Sequence, residues 1–262
     1  MLLENRNAVV YGASGSIGSA VAAAFAREGA RVFLVGRTRE DLAKVAAEIT
    51  DTGGRAEVAV LDALDEQAVD AHVRSVVDTY GSVDISLNLV RRGDVQGVPL
   101  VDMATADLVD PVVTGVTTNF VTARAAARHM VAKGSGVILV LNSGSANGSP
   151  MMGGTGPADA ATDTLVRNLA AEIGPAGVRV LGVWVAGIPE TLTPTALSRV
   201  NSNLAVDEVG IQALIGQLDS MRITRRSPRL AEVVDTLVFL ASAGAAGITG
   251  TFVNATSMPL GT

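Results

Sequence analysis

The stretch that decides the fold lies at residues 7–18 and runs Asn7-Ala8-Val9-Val10-Tyr11-Gly12-Ala13-Ser14-Gly15-Ser16-Ile17-Gly18. An apolar run is followed by small residues and then by an Ala-rich stretch, which is typical of a buried strand, a tight turn and a helix. Small residues in such a turn let backbone N–H groups approach a pyrophosphate. We therefore predict a dinucleotide-phosphate site formed by Gly12, Ser14, Ser16, Ile17 and Gly18. The alternative is an ordinary glycine-rich turn between a strand and a helix.

The same alternation of short β-branched runs and Ala/Leu-rich amphipathic stretches continues along the chain. It predicts strands at residues 7–11, 31–35, 56–61, 83–89, 136–141 and 178–185 and near 251–253, and helices at 16–28, 39–52, 66–80, 105–132, 157–173 and 230–241. Strands separated by helices of this length predict an α/β fold, a doubly wound (Rossmann-type) parallel sheet of about seven strands with helices on both faces. We expect a single domain over residues 1–262. The polar, irregular stretch 187–227 is predicted to be a substrate-loop insertion.

The composition excludes several chemistries. The chain has 262 residues, of which 48% are hydrophobic, 18% charged and only 3% aromatic, and it contains no cysteine. A thiol nucleophile, an iron–sulfur cluster, a Cys-ligated zinc and a disulfide are therefore impossible. With two histidines a three-His metal site is also impossible, and we expect no metal. Any role for tyrosine or lysine falls on Tyr11, Tyr80, Lys44 or Lys133.

The charge and the apolar pattern limit the partners. A net charge of −6 argues against nucleic-acid binding, which needs a clustered basic surface. No apolar run approaches the roughly 18 residues that a membrane span requires. The first residues also lack the apolar core of a signal peptide. We expect a cytoplasmic protein that binds neither nucleic acid nor membranes.

Two acidic or basic positions after predicted strands bear on the cofactor. The second strand is followed by Gly36 and Arg37, where an NAD site would present a carboxylate to the ribose diol. A guanidinium at this position can bind a 2′-phosphate, so NADP(H) is favoured over NAD(H). The alternative is that Arg37 is a solvated arginine at a helix start. Asp62 and Ala63 follow the third strand, where a carboxylate would accept a hydrogen bond from the adenine amino group. Helix N-capping is equally consistent with Asp62 or Asp65.

Several motifs together resemble the short-chain dehydrogenase/reductase family over nearly the whole chain. These are the glycine turn, Asp62, residues 84–88, Ser143, residues 169–175 leading to 178–180, and residues 239–242 followed by 248–250. The resemblance implies a doubly wound parallel sheet, nicotinamide dinucleotide binding and oxidoreductase activity on a small-molecule substrate. It also implies a homotetramer, or a homodimer, built on the helices at 105–132 and 157–173.

The family's chemistry rests on Asn, Ser, Tyr and Lys, with Tyr four residues before Lys. In the register of residues 169–172, Thr155 stands at the Tyr position and Asp159 at the Lys position, while Ser143 keeps its place. Gly115 falls on the Asn position, with Asn119 one turn further on as an ill-placed substitute. Thr155 relays a proton only with an adjacent base, and Asp159 is such a base only if it is close and desolvated. The alternative is a helix start, with a cap near Thr155 and Asp159 complementing the helix dipole.

Other motif positions are partly altered. The family's Asn-Asn-Ala-Gly becomes Asn88-Leu89-Val90-Arg91, in which Asn88 is kept, and its Pro-Gly becomes Ala186-Gly187, although Thr191 keeps the spacing of the residue that holds the carboxamide. Arg91 and Arg92 are equally consistent with a hold on an anionic substrate or phosphate and with an exposed loop pair.

Two functions follow from these motifs. One is a divergent NADP(H)-dependent oxidoreductase that acts on a small, apolar carbonyl or alcohol with non-standard proton transfer. The other is a catalytically inactive NADP(H)-binding regulatory protein or inactive partner subunit, that is, a pseudoenzyme.

Overall fold

A computed structural model describes residues 1–201 and 206–259. Within this part the strands are β1 (Asn7–Tyr11), β2 (Arg31–Gly36), β3 (Arg55–Val60), β4 (Ile85–Asn88), β5 (Gly136–Asn142), β6 (Val178–Trp184) and β7 (Phe252–Asn254). The helices are α1 (Ser16–Arg27), α2 (Arg39–Asp51), α3 (Glu66–Tyr80), α4 (Thr105–Lys133), α5 (Thr155–Ile173), α6 (Pro194–Val200), α7 (Glu208–Met221) and α8 (Leu230–Ala241).

The seven strands form one parallel sheet in the order β3-β2-β1-β4-β5-β6-β7. One apolar core lies on the face covered by α1, α2 and α8, and a second core lies on the opposite face, covered by α3, α4 and α5. The predicted doubly wound parallel sheet is thus confirmed. The strand order reverses between β1 and β4, and in such sheets ligands bind in the crevice at the carboxyl ends of the strands near this point.

The stretch from 187 to 227 is more ordered than its polar composition suggested. The interpretation of this stretch as irregular was wrong, because it contains α6 and α7. Both helices start at side chains that accept a backbone N–H: the Thr193 hydroxyl caps α6 through Ala196, and the Asp207 carboxylate caps α7 through Gly210. Such caps satisfy N–H groups that a helix end leaves unpaired.

Asp84, just before β4, links three parts of the chain. Its carboxylate is buried and accepts hydrogen bonds from the Asn7 backbone N–H, the Ser82 hydroxyl and the Lys133 ammonium. Burial alone would raise the pKa of Asp84, but these hydrogen bonds outweigh it and hold the pKa below its ordinary value. Asp84 therefore stabilises the fold only while it is ionised.

The depressed pKa of Asp84 predicts an acid-sensitive contribution to stability. This contribution is fully present above the unfolded-state pKa of about 4 and is lost as the pH falls through the folded-state pKa. We expect Asp84→Asn to lower the free energy of unfolding at pH 7 and to lose less stability than the wild type between pH 5 and pH 3. Urea denaturation at each pH measures both effects. Equal losses in the two proteins over that interval would contradict the assignment.

Over residues 1–201 and 206–259, no helix is both long and apolar enough to cross a membrane. In the same residues no three His, Asp or Glu side chains are grouped so that they could hold a metal ion.

Candidate active site

The glycine turn after β1 has the close approaches that only glycine permits. Gly12 has a φ of +74°, and a Cβ on it would lie 2.6 Å from the Leu89 carbonyl oxygen. A Cβ on Gly18 would lie 2.3 Å from the carbonyl oxygen of Gly12. These contacts hold the first turn of α1 against the carboxyl ends of β1 and β4, where the strand order reverses.

The amino end of α1 suits the phosphates of a dinucleotide. The N-cap residue is Gly15, and no side chain caps the helix. Ser16, Ile17 and Gly18 begin α1, where backbone N–H groups have no partner within the helix and attract an anion. Ser14 and Ser16 are exposed beside this end. The residues present therefore fit a pyrophosphate.

The predicted adenosine end lies at the carboxyl ends of β2 and β3. Arg37 is exposed directly after β2. Asp65 caps α3 by accepting a hydrogen bond from the Ala68 N–H, whereas Asp62 accepts one from the Leu64 N–H and does not cap the helix. Ala63 is buried beside it. Of the two carboxylates, Asp62 is therefore the one not committed to a helix end.

Asn88, at the end of β4, is held by its neighbours. Its side-chain N–H group donates to the side-chain oxygen of Asn119 at 2.7 Å and to the Thr118 hydroxyl at 3.3 Å. Its own side-chain oxygen accepts a hydrogen bond from the Val90 N–H. Asn88 thus ties β4 to α4 and orients the residues that follow. Asn119 is buried against Asn88 rather than against Ser143.

Asp159 is the centre of a buried polar network. Its side chain is fully buried in α5 and accepts hydrogen bonds from the backbone N–H of Ser143 at 3.0 Å and of Ser145 at 2.9 Å. The Ser143 hydroxyl donates to the same carboxylate at 2.6 Å and lies 2.8 Å from the Ser145 hydroxyl. Asp159 is therefore close to Ser143 and desolvated.

The cation that balances Asp159 comes from the other side of the site. Arg92, 67 residues earlier in the chain, donates through Nη1 to the Asp159 carboxylate at 2.7 Å, and its side chain is only 13% exposed. Its path crosses α4 at Gly115, where a Cβ would lie 2.5 Å from the Arg92 Cδ. The absence of a side chain at Gly115 makes room for Arg92. Of the two alternatives for this arginine, an exposed loop residue is wrong.

Thr155 is tied to the segment that carries Arg92. Its hydroxyl donates to the Asp94 carboxylate at 3.0 Å and accepts from the Gln96 side chain at 3.3 Å. The predicted helix start is confirmed, since α5 begins at Thr155, but two of its details were wrong. The N-cap is Gly154, the Thr155 side chain does not cap the helix, and Asp159 lies beyond the first turn and is bound to Ser143 and Arg92.

We call residues 90–97 the strap, because this segment crosses the carboxyl edge of the sheet after β4. The Gln96 N–H donates to the Val200 carbonyl in α6 at 2.7 Å, and the Gly97 N–H donates to the Met151 carbonyl at 2.6 Å. The strap therefore joins α6 to the segment before α5. No sequence signal singles out Asp94, Gln96 or Ser145, because polar residues in loops follow no distinctive spacing.

Polar groups in the segment that follows β6 are hydrogen-bonded within the protein. Gly187 has a φ of +61°, and a Cβ on it would lie 2.6 Å from Nη2 of the buried Arg222. That nitrogen donates to the Ala186 carbonyl at 2.9 Å. The Thr191 hydroxyl donates to the Ile188 carbonyl at 2.8 Å.

Among the described residues, none of the two tyrosines and two lysines is hydrogen-bonded to Ser143. Tyr11 is fully buried in β1, which raises the pKa of its hydroxyl, and Tyr80 donates to Glu57 at 2.5 Å, a hydrogen bond that raises its pKa. Lys133 pairs with Asp84, and Lys44 pairs with acidic residues of its own helix. In this structure the Ser143 hydroxyl is hydrogen-bonded to Asp159 and Ser145 instead.

The chain is similar to known oxidoreductases along most of its length. A family model described as enoyl-(acyl carrier protein) reductase matches residues 12–255. The L-rhamnose 1-dehydrogenase (NAD(P)(+)) of Azotobacter vinelandii is 31% identical over 262 residues, covering 95% of this chain and 94% of that protein. The short-chain reductase protein NovJ of Streptomyces niveus is 28% identical, covering 93% of this chain and 89% of that protein.

A solved structure agrees with these matches. A short-chain type dehydrogenase/reductase from Mycobacterium marinum superposes with a TM-score of 0.78 at 27% identity, covering 96% of this chain and 94% of that one. With the parallel sheet, the glycine turn and the serine after β5, these matches define the class of protein. The chain belongs to the short-chain dehydrogenase/reductase family of oxidoreductases.

Proposed function

We propose that this protein is an NADP(H)-dependent oxidoreductase that acts on a small, apolar carbonyl or alcohol and moves the proton through Ser143 and Asp159. The observation that carries the proposal is the 2.6 Å hydrogen bond from the Ser143 hydroxyl to the fully buried Asp159 carboxylate. A carboxylate acts as the base for a neighbouring hydroxyl when it is close and desolvated, and Asp159 meets both conditions.

The cofactor assignment rests on this chain's own residues. The amino end of α1 and the turn at Gly12 would hold the pyrophosphate, Asp62 the adenine amino group and Arg37 the 2′-phosphate of NADP(H). Gly187 and Thr191 would lie at the nicotinamide end, with Asn88 holding β4 beneath it. When bound, the nicotinamide supplies hydride acceptance or donation.

The protein side of the reaction is a proton transfer over two hydrogen bonds. In alcohol oxidation the substrate O–H bond breaks, its proton passes to the Ser143 oxygen, and the Ser143 proton passes to Asp159. Reduction runs the same transfer in reverse. Arg92 lies 2.7 Å from the other oxygen of the same carboxylate and is the cation that balances it.

A serine deletion tests the proposal. Ser143→Ala should lower kcat by about 100-fold or more while leaving NADPH affinity unchanged, because the hydroxyl acts in proton transfer and not in cofactor binding. The assay is the absorbance of NADPH with a panel of small carbonyl compounds. Thr164→Ala, which removes an exposed hydroxyl of α5 bonded only within that helix, is the matched control. NADPH binding by the wild type without turnover of any carbonyl would count against the proposal.

The closed polar network favours a second candidate, an NADP(H)-binding regulatory protein or inactive partner subunit. Thr155 is engaged by Asp94 and Gln96, and Asp159 by Arg92, so these groups are paired with one another in the structure. In this alternative Thr155 and Asp159, at the positions of the usual tyrosine and lysine, have structural roles only.

Restoring the usual pair separates the two candidates. Thr155→Tyr with Asp159→Lys would place an ammonium group beside Arg92, so Arg92→Ala must accompany them. If the triple variant reduces carbonyls where the wild type does not, the natural protein is a binder. If the wild type is active and the triple variant is no faster, the oxidoreductase proposal stands.

We also propose that the protein assembles as a homodimer or homotetramer through α4 and α5. Val109, Val113 and Phe120 are exposed apolar side chains on α4, which fits a helix face covered by another subunit. Light scattering after size exclusion measures the assembly, and replacement of Phe120 by Glu should shift it toward the monomer.

A further inference from the structure

Three arginines around the proposed cofactor site lack partners. Arg37, Arg91 and Arg199 are all exposed, and among residues 1–201 and 206–259 none has a carboxylate within ion-pair distance or a hydrogen-bond acceptor for its side chain. Arg92, next to Arg91, is instead paired with two carboxylates. Adjacent arginines therefore differ in role.

The three arginines converge from separate elements. Arg37 follows β2, Arg91 lies in the strap after β4, and Arg199 lies in the last turn of α6. The strap and α6 are joined by the hydrogen bond from Gln96 to Val200. Burial, and then the positive charges of Arg199 and Arg37, lower the pKa of Arg91. Arg91 therefore lies close enough to both of these arginines to be repelled by their charges.

Arg91 also lies beside the glycine turn. A Cβ on Gly12 would meet the Leu89 carbonyl oxygen at 2.6 Å and the Val90 nitrogen at 3.1 Å. The backbone against the turn is thus the backbone that leads directly into Arg91. The Arg91 side chain therefore starts one residue beyond the backbone that contacts the glycine turn.

Like charges that converge without carboxylate partners repel one another, and a bound anion removes this repulsion. We propose that Arg91, joined by Arg199 from α6, binds the pyrophosphate of the dinucleotide, while Arg37 binds the 2′-phosphate. This proposal rests on the proposed function, and it adds a residue of α6 to the proposed cofactor site. Because α6 lies in the segment expected to cover the substrate, Arg199 couples its position to cofactor binding.

Dinucleotide affinity in single variants tests this assignment. Titration of the full-length protein with NADPH and with NADH, followed by nucleotide fluorescence, gives the Kd for each. We expect Arg91→Ala to weaken the binding of NADPH and of NADH about tenfold, because both dinucleotides carry the pyrophosphate. Arg199→Ala should weaken the binding of both to a smaller extent. Arg37→Ala should weaken NADPH alone. Arg74→Ala, an exposed arginine of α3, is the matched control and should change neither Kd.

The outcomes separate this inference from the proposed function. Wild-type binding with Arg91→Ala equal to Arg74→Ala would overturn the inference and leave the proposed function intact. Weakening of NADPH alone by Arg91→Ala would assign this arginine to the 2′-phosphate and would also overturn it. A wild type that binds neither dinucleotide would overturn both. Inorganic pyrophosphate should displace NADPH from the wild type more readily than from Arg91→Ala, whatever the catalytic activity.

Discussion

Removing the carboxylate of Asp159 should destabilise the protein by about 3–5 kcal/mol, because Asp159→Ala leaves the guanidinium of Arg92 largely desolvated without its main partner. The variant also removes the acceptor for the N–H groups of Ser143 and Ser145. Urea denaturation followed by circular dichroism measures the change in the free energy of unfolding.

A double variant distinguishes the effect of an unpaired, desolvated Arg92 from a general loss of packing. Arg92→Met combined with Asp159→Ala should recover a large part of the lost stability, since the desolvated guanidinium is then gone. Asp94, which also loses Arg92, is 19% exposed and keeps its hydrogen bond from the Thr155 hydroxyl. Lys44→Ala breaks only exposed ion pairs with Glu40 and Asp41 and should cost at most about 1 kcal/mol. A double variant as unstable as the sum of the single variants would contradict the role assigned to the Arg92–Asp159 ion pair.

Gly12→Ala should both destabilise the protein and weaken NADPH binding by 100-fold or more, roughly a loss of 3 kcal/mol in binding. The new methyl group would sit 2.6 Å from the backbone oxygen of Leu89 and 3.1 Å from the Val90 nitrogen, where the strap begins, so this backbone and the glycine turn must move apart. Thermal unfolding with and without NADPH reports both effects, because a ligand at a fixed concentration stabilises the folded state more the more tightly it binds.

Gly53→Ala is the matched control for Gly12→Ala. Gly53 also has a positive φ, +83°, but a Cβ there meets nothing within 4 Å. It should show only the backbone cost of a non-glycine residue at positive φ, about 1–2 kcal/mol, and unchanged NADPH affinity. Equal behaviour of the two variants would mean that the contact between the turn and the strap is unimportant for binding.

The parallel sheet was predictable from the sequence because buried parallel strands and their covering helices have distinct apolar periods. The strand after Tyr80 and the helix before Gly134 were placed within a few residues of their ends. The helices between 187 and 227 were missed, because they are short and their polar composition resembles that of a loop. Their capping residues Thr193 and Asp207 were visible, but N-caps alone also occur in turns.

The candidate site was predictable in its parts and not in its connections. The sequence identified Ser143, Thr155 and Asp159 as positions of interest, and Arg91 and Arg92 as an arginine pair open to two interpretations. It contained nothing to indicate that Arg92 pairs with a carboxylate 67 residues away while Arg91 stays exposed. Such a pairing depends on the passage across Gly115, which only the packing of α4 against the strap reveals.

The passage of Arg92 across Gly115 has a consequence for descent within the family. A side chain at position 115 collides with Arg92, and a second cation at position 159 repels it, so each reversal taken alone is unfavourable. Glycine, arginine and aspartate at these three positions should therefore be inherited as a set. Across related sequences we expect the three residues to covary.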